Sequence, residues 1–177
     1  SGDGILFTSD VLASHEGDTN TKIRFPADDT ISFETGGSER LRITSDGQIG
    51  VTNTSPDAWY STYRSIQIYD GAVLYGSVDD SFVGLGANHF LNTSGDFKYS
   101  NTDFASRFYQ VNGGFHFESA ASGTAGNTFS FTERLRITSG GNIGINVTNP
   151  QAFLDVGGDT DGNVQASFTR ANDSNFR

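Results

Sequence analysis

The sequence contains no cysteine. That removes disulfides, thiol catalysis and thiolate metal sites together. Basic residues are also few, 11 Lys and Arg against 21 Asp and Glu, leaving a formal net charge of −10. They are scattered along the chain, so the clustered cations that neutralise phosphate are missing, and DNA, RNA and anionic membranes are not expected partners. No apolar run approaches the ~20 residues of a membrane span, and no basic, apolar leader opens the chain. A soluble protein without membrane insertion is expected. Helical periodicity is lacking as well, since no window of helix length keeps apolar residues at three-and-four spacing.

What the chain does have is glycine and phenylalanine, 22 and 15 of them in 177 residues. Glycine supplies turns but buries no side chain, so a single copy is expected to have a thin core that association with other copies completes. Phenylalanine is the expected chief core residue.

The chain is organised around a repeat. The stretch ERLRITSDGQIGV at residues 39–51 recurs as ERLRITSGGNIGI at residues 133–145, an offset of 94 residues, and Thr54, Pro56 and Ala58 fall on Thr148, Pro150 and Ala152. That period is too long for one solenoid coil, so each copy is expected to be a module with folding content of its own.

Within the repeat, Leu41 and Ile43 alternate with Arg40, Arg42 and Thr44, the period of a strand with one apolar face. Ile49 and Val51 form a second such strand. A two-residue turn would put the two apolar pairs on opposite faces. A three-residue loop of Ser45, Asp46 and Gly47, with Gly47 left-handed in a bulge, sets Ile43 opposite Ile49 and Leu41 opposite Val51. A corner between strands of different sheets is the alternative. The hairpin predicts Leu41, Ile43, Ile49 and Val51 on one buried face, Leu135, Ile137, Ile143 and Ile145 on its equivalent, and arginines facing away. Gly47 is expected to resist a β-branched replacement more than Gly36 does.

Residues 17–51 and 104–145, which carry these motifs and cover 77 of the 177 residues, resemble repeat modules of bacteriophage tail fibres and tailspike-like proteins, marine phages in particular. The chain departs from the usual pattern after Ile145, with Asn146 and Val147 where glycine and threonines are common. The resemblance implies an all-β fold of repeated β-hairpin, β-sandwich or β-prism-like modules, intertwined in a parallel homotrimeric fibre. It further implies a place in the virion, other virion tail proteins as partners, and a role in attachment to a host surface glycan or protein.

Three segments follow: a first fibre module at residues 1–56, a second, longer one at 57–150, and the start of a further, truncated module at 151–177. In the first, a strand at 5–7 precedes a hairpin that pairs Ile23 and Phe25 with Ile31 and Phe33 across a turn at 26–30. In the second, Phe115 and Phe117 are expected to pair likewise with Phe129 and Phe131. Residues 57–112 read as further short strands separated by glycine and aspartate.

Chemistry has little to stand on. Asp28 with Asp29 and Asp79 with Asp80 read as turn residues rather than a glycosidase dyad. His15, His89 and His116 have no metal-ligand spacing to one another, and no serine lies in a nucleophile elbow. No catalytic residue, cofactor or metal is expected, and the segment reads as non-enzymatic. Two weaker metal readings stand beside bland ones. In a trimer, three copies of His116 could meet on the axis, against an ordinary hydrogen-bonded histidine. Asp155, Asp159, Asp161 and Asn163 could offer oxygens to calcium, against a polar turn.

Trp59, Tyr60, Tyr63, Tyr69 and Tyr75 are the most clustered amphipathic aromatics and the candidate contacts for a glycan or a protein interface. Trp59 falls on Phe153 at the repeat offset, which points to a shared packing position. A non-enzymatic tail-fibre segment is the leading reading. A bacterial surface adhesin and a glycan-cleaving tailspike are the alternatives.

Overall fold

The computed structural model describes residues 11–158, and the protein there is all-β. The early strands are β1 (Val11–His15), β2 (Asp18–Arg24), β3 (Ile31–Thr35), β4 (Ser38–Ile43) and β5 (Ile49–Val51). The middle ones are β6 (Tyr63–Ile68), β7 (Ala72–Ser77), β8 (Val83–Ala87), β9 (Phe90–Leu91) and β10 (Phe97–Lys98). The last are β11 (Asp103–Val111), β12 (Gly114–Gly123), β13 (Thr132–Ile137), β14 (Ile143–Ile145) and β15 (Leu154–Val156). Thirteen strands form one sheet in chain order, with β8 beside β11, while β9 and β10 pair separately. Pairing is antiparallel except for β5 with β6 and β14 with β15. The expected strand at 5–7, residues Asp159, Asp161 and Asn163, and most of the third segment lie outside the described residues.

The hairpin register follows the parity of the apolar residues. Ile43 faces Ile49 and Leu41 faces Val51; in the second copy Ile137 faces Ile143 and Leu135 faces Ile145. Thr44 N donates to the Gln48 carbonyl at 3.0 Å, leaving a three-residue loop in which Gly47 has φ of 80°. Gly141 has φ of 88°. Gly36 is left-handed too, at 58°, so the expected contrast with Gly47 in backbone strain is absent. What separates them is space: a Cβ on Gly47 would lie 3.3 Å from Arg64 Nε, and one on Gly36 would meet nothing.

The β5 to β6 crossover explains why Gly50 stands mid-strand. A Cβ there would lie 2.3 Å from the Asn53 carbonyl oxygen and 2.6 Å from Pro56 Cγ, because the chain folds back over β5 immediately after Thr52. Thr52 and Asn146 both take φ of 52°, so the departure at Asn146 keeps the same turn as the first copy. Gly144 is equally crowded, by the Val147 carbonyl. Buried amides pin the first crossover. Gln48 accepts from Ser65 N at 2.8 Å, and Gln67 exchanges hydrogen bonds with the Asp57 backbone at 2.8 and 2.9 Å. Gly50→Ala is expected to cost about 3 kcal/mol, as overpacking against backbone does. Gly126→Ala, left-handed but in open space, should cost about 1 kcal/mol. Urea midpoints would check the difference.

Strand parity sorts the side chains onto two faces. One cross-strand row runs Ile31, Ile43, Ile49, Ile66, Leu74, Leu85, Phe108, Phe117, Leu135, Ile145, Val156, each directly paired with the next. This face carries the residues expected to be buried, yet the described residues do not cover it. Leu41, Ile43, Ile49 and Val51 are half-buried, Ile145 is exposed, and Leu74 and Leu85 are 42% and 57% exposed. The covering segments lie on the other face. There, residues 52–62 and the β9–β10 hairpin close over Trp59, Val73, Tyr75 and Leu91, with Tyr63, Phe82, Phe90 and Phe97 packed against them.

Phenylalanine is therefore not the chief fully buried residue. Tryptophan, tyrosine, valine, leucine and alanine fill the two buried clusters, and phenylalanine flanks them. Nor do Phe129 and Phe131 pair with Phe115 and Phe117, which face Ile137 and Leu135 instead. The segment after β12 crosses to the opposite face, where Phe129 and Phe131 pack against Tyr99, Ala105 and Ala120.

Candidate functional site

The face opposite the apolar row carries the ionic chemistry, and a β-bulge makes it work. Glu39 and Arg42 are three residues apart and would point to opposite faces of a regular strand. Leu41 pairs with Phe33 but Glu39 with Glu34, so Arg40 is an extra residue that restores the parity. Arg42 then grips Glu39 through two bonds of 2.7 Å. Arg134 is the extra residue in β13, and Arg136 holds Glu133 at 2.6 and 2.7 Å. Lys22 and Arg24 of β2 both pair with Glu34 of β3, at 3.3 and 2.9 Å. Arg24 holds the Glu34 carboxyl below the usual range, with Lys22 adding.

Arg107 is the centre of this face in the second half. Its guanidinium lies 4.5 to 4.6 Å from the ring centroids of Phe97, Tyr109 and Phe131 and is paired with Glu118 at 2.6 Å. The Tyr109 hydroxyl donates to the same carboxylate at 3.0 Å. Burial, then the charge of Glu118, pushes the Tyr109 phenol up.

His116 projects away from Phe115 and Phe117, as alternation requires. Its ring lies flat on Tyr109, 4.5 Å between centroids and 2° between planes, and its Nδ1 is 2.9 Å from Glu133 Oε2. It is thus a hydrogen-bonded histidine. Burial works to raise the Glu133 carboxyl, but the bonds from Arg136 and His116 outweigh it and lower it. Among the described residues no group of three His, Asp or Glu is placed to hold a metal ion.

His89 is nearly sealed, 2% exposed. The rings of Phe131, Tyr75 and Phe97 surround it at 5.0, 5.6 and 5.7 Å. Burial lowers its pKa to about 4, against the opposing bond from the Ala87 carbonyl and with the charge of Arg107 adding. Its room is made by Gly86, where a Cβ would overlap the imidazole.

The five candidate aromatics separate by depth. Trp59 and Tyr75 are each 3% exposed and pack together with ring centroids 4.8 Å apart and planes tilted by 44°, which takes them out of reach of any external sugar. Tyr63 is half-buried against Tyr75 and Phe82. Tyr60 and Tyr69 remain exposed, at 37% and 66%. The packing position shared by Trp59 and Phe153 is not realised within the described residues, where Phe153 is 85% exposed. Burial raises the Asp57 carboxyl above its usual range, with the charge of Asp70 adding. The turn acids Asp28, Asp29, Asp79 and Asp80 are exposed.

The concave features of the apolar face are open grooves. One of about 490 Å³ is bordered by Leu85, Phe108 and Phe117, and another of about 230 Å³ by Ile49, Ile66, Leu74 and Val83. Sequence parity located this face but not its exposure, which depends on where the connecting segments lie. Searches against protein-family models and against curated proteins find no match to this chain.

Proposed function

We infer that this chain is a non-enzymatic structural segment of a bacteriophage tail fibre, working as a parallel homotrimer in the virion and contributing to host-surface attachment. The observation that carries this reading is the apolar row from Ile31 to Val156, a side of the sheet on which Leu74, Leu85 and Phe117 stay exposed in the single chain. An uncovered apolar surface of that extent favours association. The repeated ERLRIT hairpins and their resemblance to tail-fibre modules supply the virion setting and the number three. Other virion tail proteins are the neighbours this role requires, and Tyr60 and Tyr69 are the aromatics left to meet a host glycan or protein.

Sedimentation of the purified chain tests the reading. Three chains per particle at micromolar concentration are expected, and raised salt should not dissociate them, because the association is apolar. A stable monomer would remove the fibre reading.

A further inference from the structure

We propose that the Ile31-to-Val156 row is the surface on which a second copy of this chain docks, row alongside row, with the stacking direction of the strands running along the common axis. This deepens the fibre reading and rests on it.

The face itself argues for this occupant. Strands lie about 4.8 Å apart, so the row extends roughly 48 Å, and with the flanking apolar positions it makes a band on the order of 700 Å². That is close to the roughly 800 Å² each partner contributes to a stable interface. A short peptide would cover a fraction of it, whereas another copy brings a band of equal length and character. Charge agrees. The row carries no charged side chain. Glu34, Glu39, Glu118 and Glu133 lie on the opposite face in ion pairs with Lys22, Arg24, Arg42, Arg107 and Arg136. A chain of net charge −10 can therefore meet itself here without opposing these carboxylates.

The row crosses the strands at right angles, so copies packed along it place their strands transverse to the axis. From β4 to β13 the sheet order is β4, β5, β6, β7, β8, β11, β12, β13. One repeat then advances about 34 Å along the axis at the usual strand spacing.

The absence of cysteine makes a clean test. Leu85→Cys places a single thiol on the row, and Tyr60→Cys places one in the segment that covers the opposite face. In a parallel arrangement equivalent residues sit at one height, so a short bis-maleimide should link most of the Leu85→Cys chains and few of the Tyr60→Cys chains. Leu85→Asp, exposed in the single chain, should shift sedimentation to the single-chain mass while the β-type circular dichroism persists. An oligomer that links through Tyr60→Cys but not Leu85→Cys, or whose mass Leu85→Asp leaves unchanged, overturns this surface and leaves self-association standing. A monomeric wild-type chain overturns both. Should Leu85→Asp fail to fold, the cysteine pair still decides.

Discussion

Arg107→Ala is expected to lower unfolding free energy by about 4 kcal/mol, the range seen when one partner of a buried ion pair is removed. The loss has two sources. The Glu118 carboxylate keeps only the Tyr109 hydroxyl, and the faces of Phe97 and Phe131 lose the cation between them. Arg107→Lys should recover part of this, because an ammonium keeps the charge but not the planar contact with two rings and a two-pronged grip on the carboxylate. The double replacement Arg107→Met with Glu118→Leu should be far milder than Arg107→Ala, since it leaves no buried charge unpaired. Denaturant midpoints of the three variants at neutral pH would check the order. A cost near that of an exposed pair would mean that Arg107 is better hydrated than its surroundings indicate.

Acid should weaken the fold in a window set by His89. The folded imidazole titrates at about 4 against an ordinary 6.5. Between those values the unfolded chain takes up a proton that the folded chain refuses. The His89 contribution is thus fully present above pH 6.5, declines as pH falls, and is spent near pH 4, for a loss of roughly 3 kcal/mol. Glu34 and Glu133 act lower, because their carboxyls are depressed from 4.5 and surrender their contribution only as pH drops below that value. His89→Phe should flatten the slope between pH 6.5 and 4.5 and leave the loss beneath it. A slope that survives the replacement would assign the acid sensitivity to another group.

The parts of this fold legible in the sequence are those that depend on neighbours in the chain. Alternation of Leu41 with Ile43, and of Ile49 with Val51, determines both the loop length and the cross-strand partners. The Glu39 with Arg42 clasp was hidden, because a separation of three residues reads as opposite faces until a bulge at Arg40 is known. The environments of His89 and Arg107 were hidden for a different reason. Each is assembled from rings distant in the chain, and a histidine in a polar-looking stretch carries no local sign of burial. Trp59 and Phe153 mark the limit of reasoning by offset, since equivalent positions in two copies can differ when the segment that covers one has no counterpart over the other. Parity separates two faces but does not say which of them a connection will cross, and phenylalanine on the uncovered face reads the same as phenylalanine in a core.

Chain-order pairing bears on how such a molecule comes to be folded. Within the thirteen-stranded sheet every strand joins the one just before it, apart from β11, which returns to β8 past the β9–β10 hairpin. Contacts of this kind are local, and local contacts form fast because little loop entropy is lost before each is made. A strand emerging during synthesis finds its template already in place, so the sheet can lengthen from its beginning without waiting for the far end of the polypeptide. The step across the hairpin closes the longest loop and is the natural pause in that progression. A chain built this way can be lengthened by further units without slowing the units already made, since adding strands at one edge leaves every earlier closure unchanged.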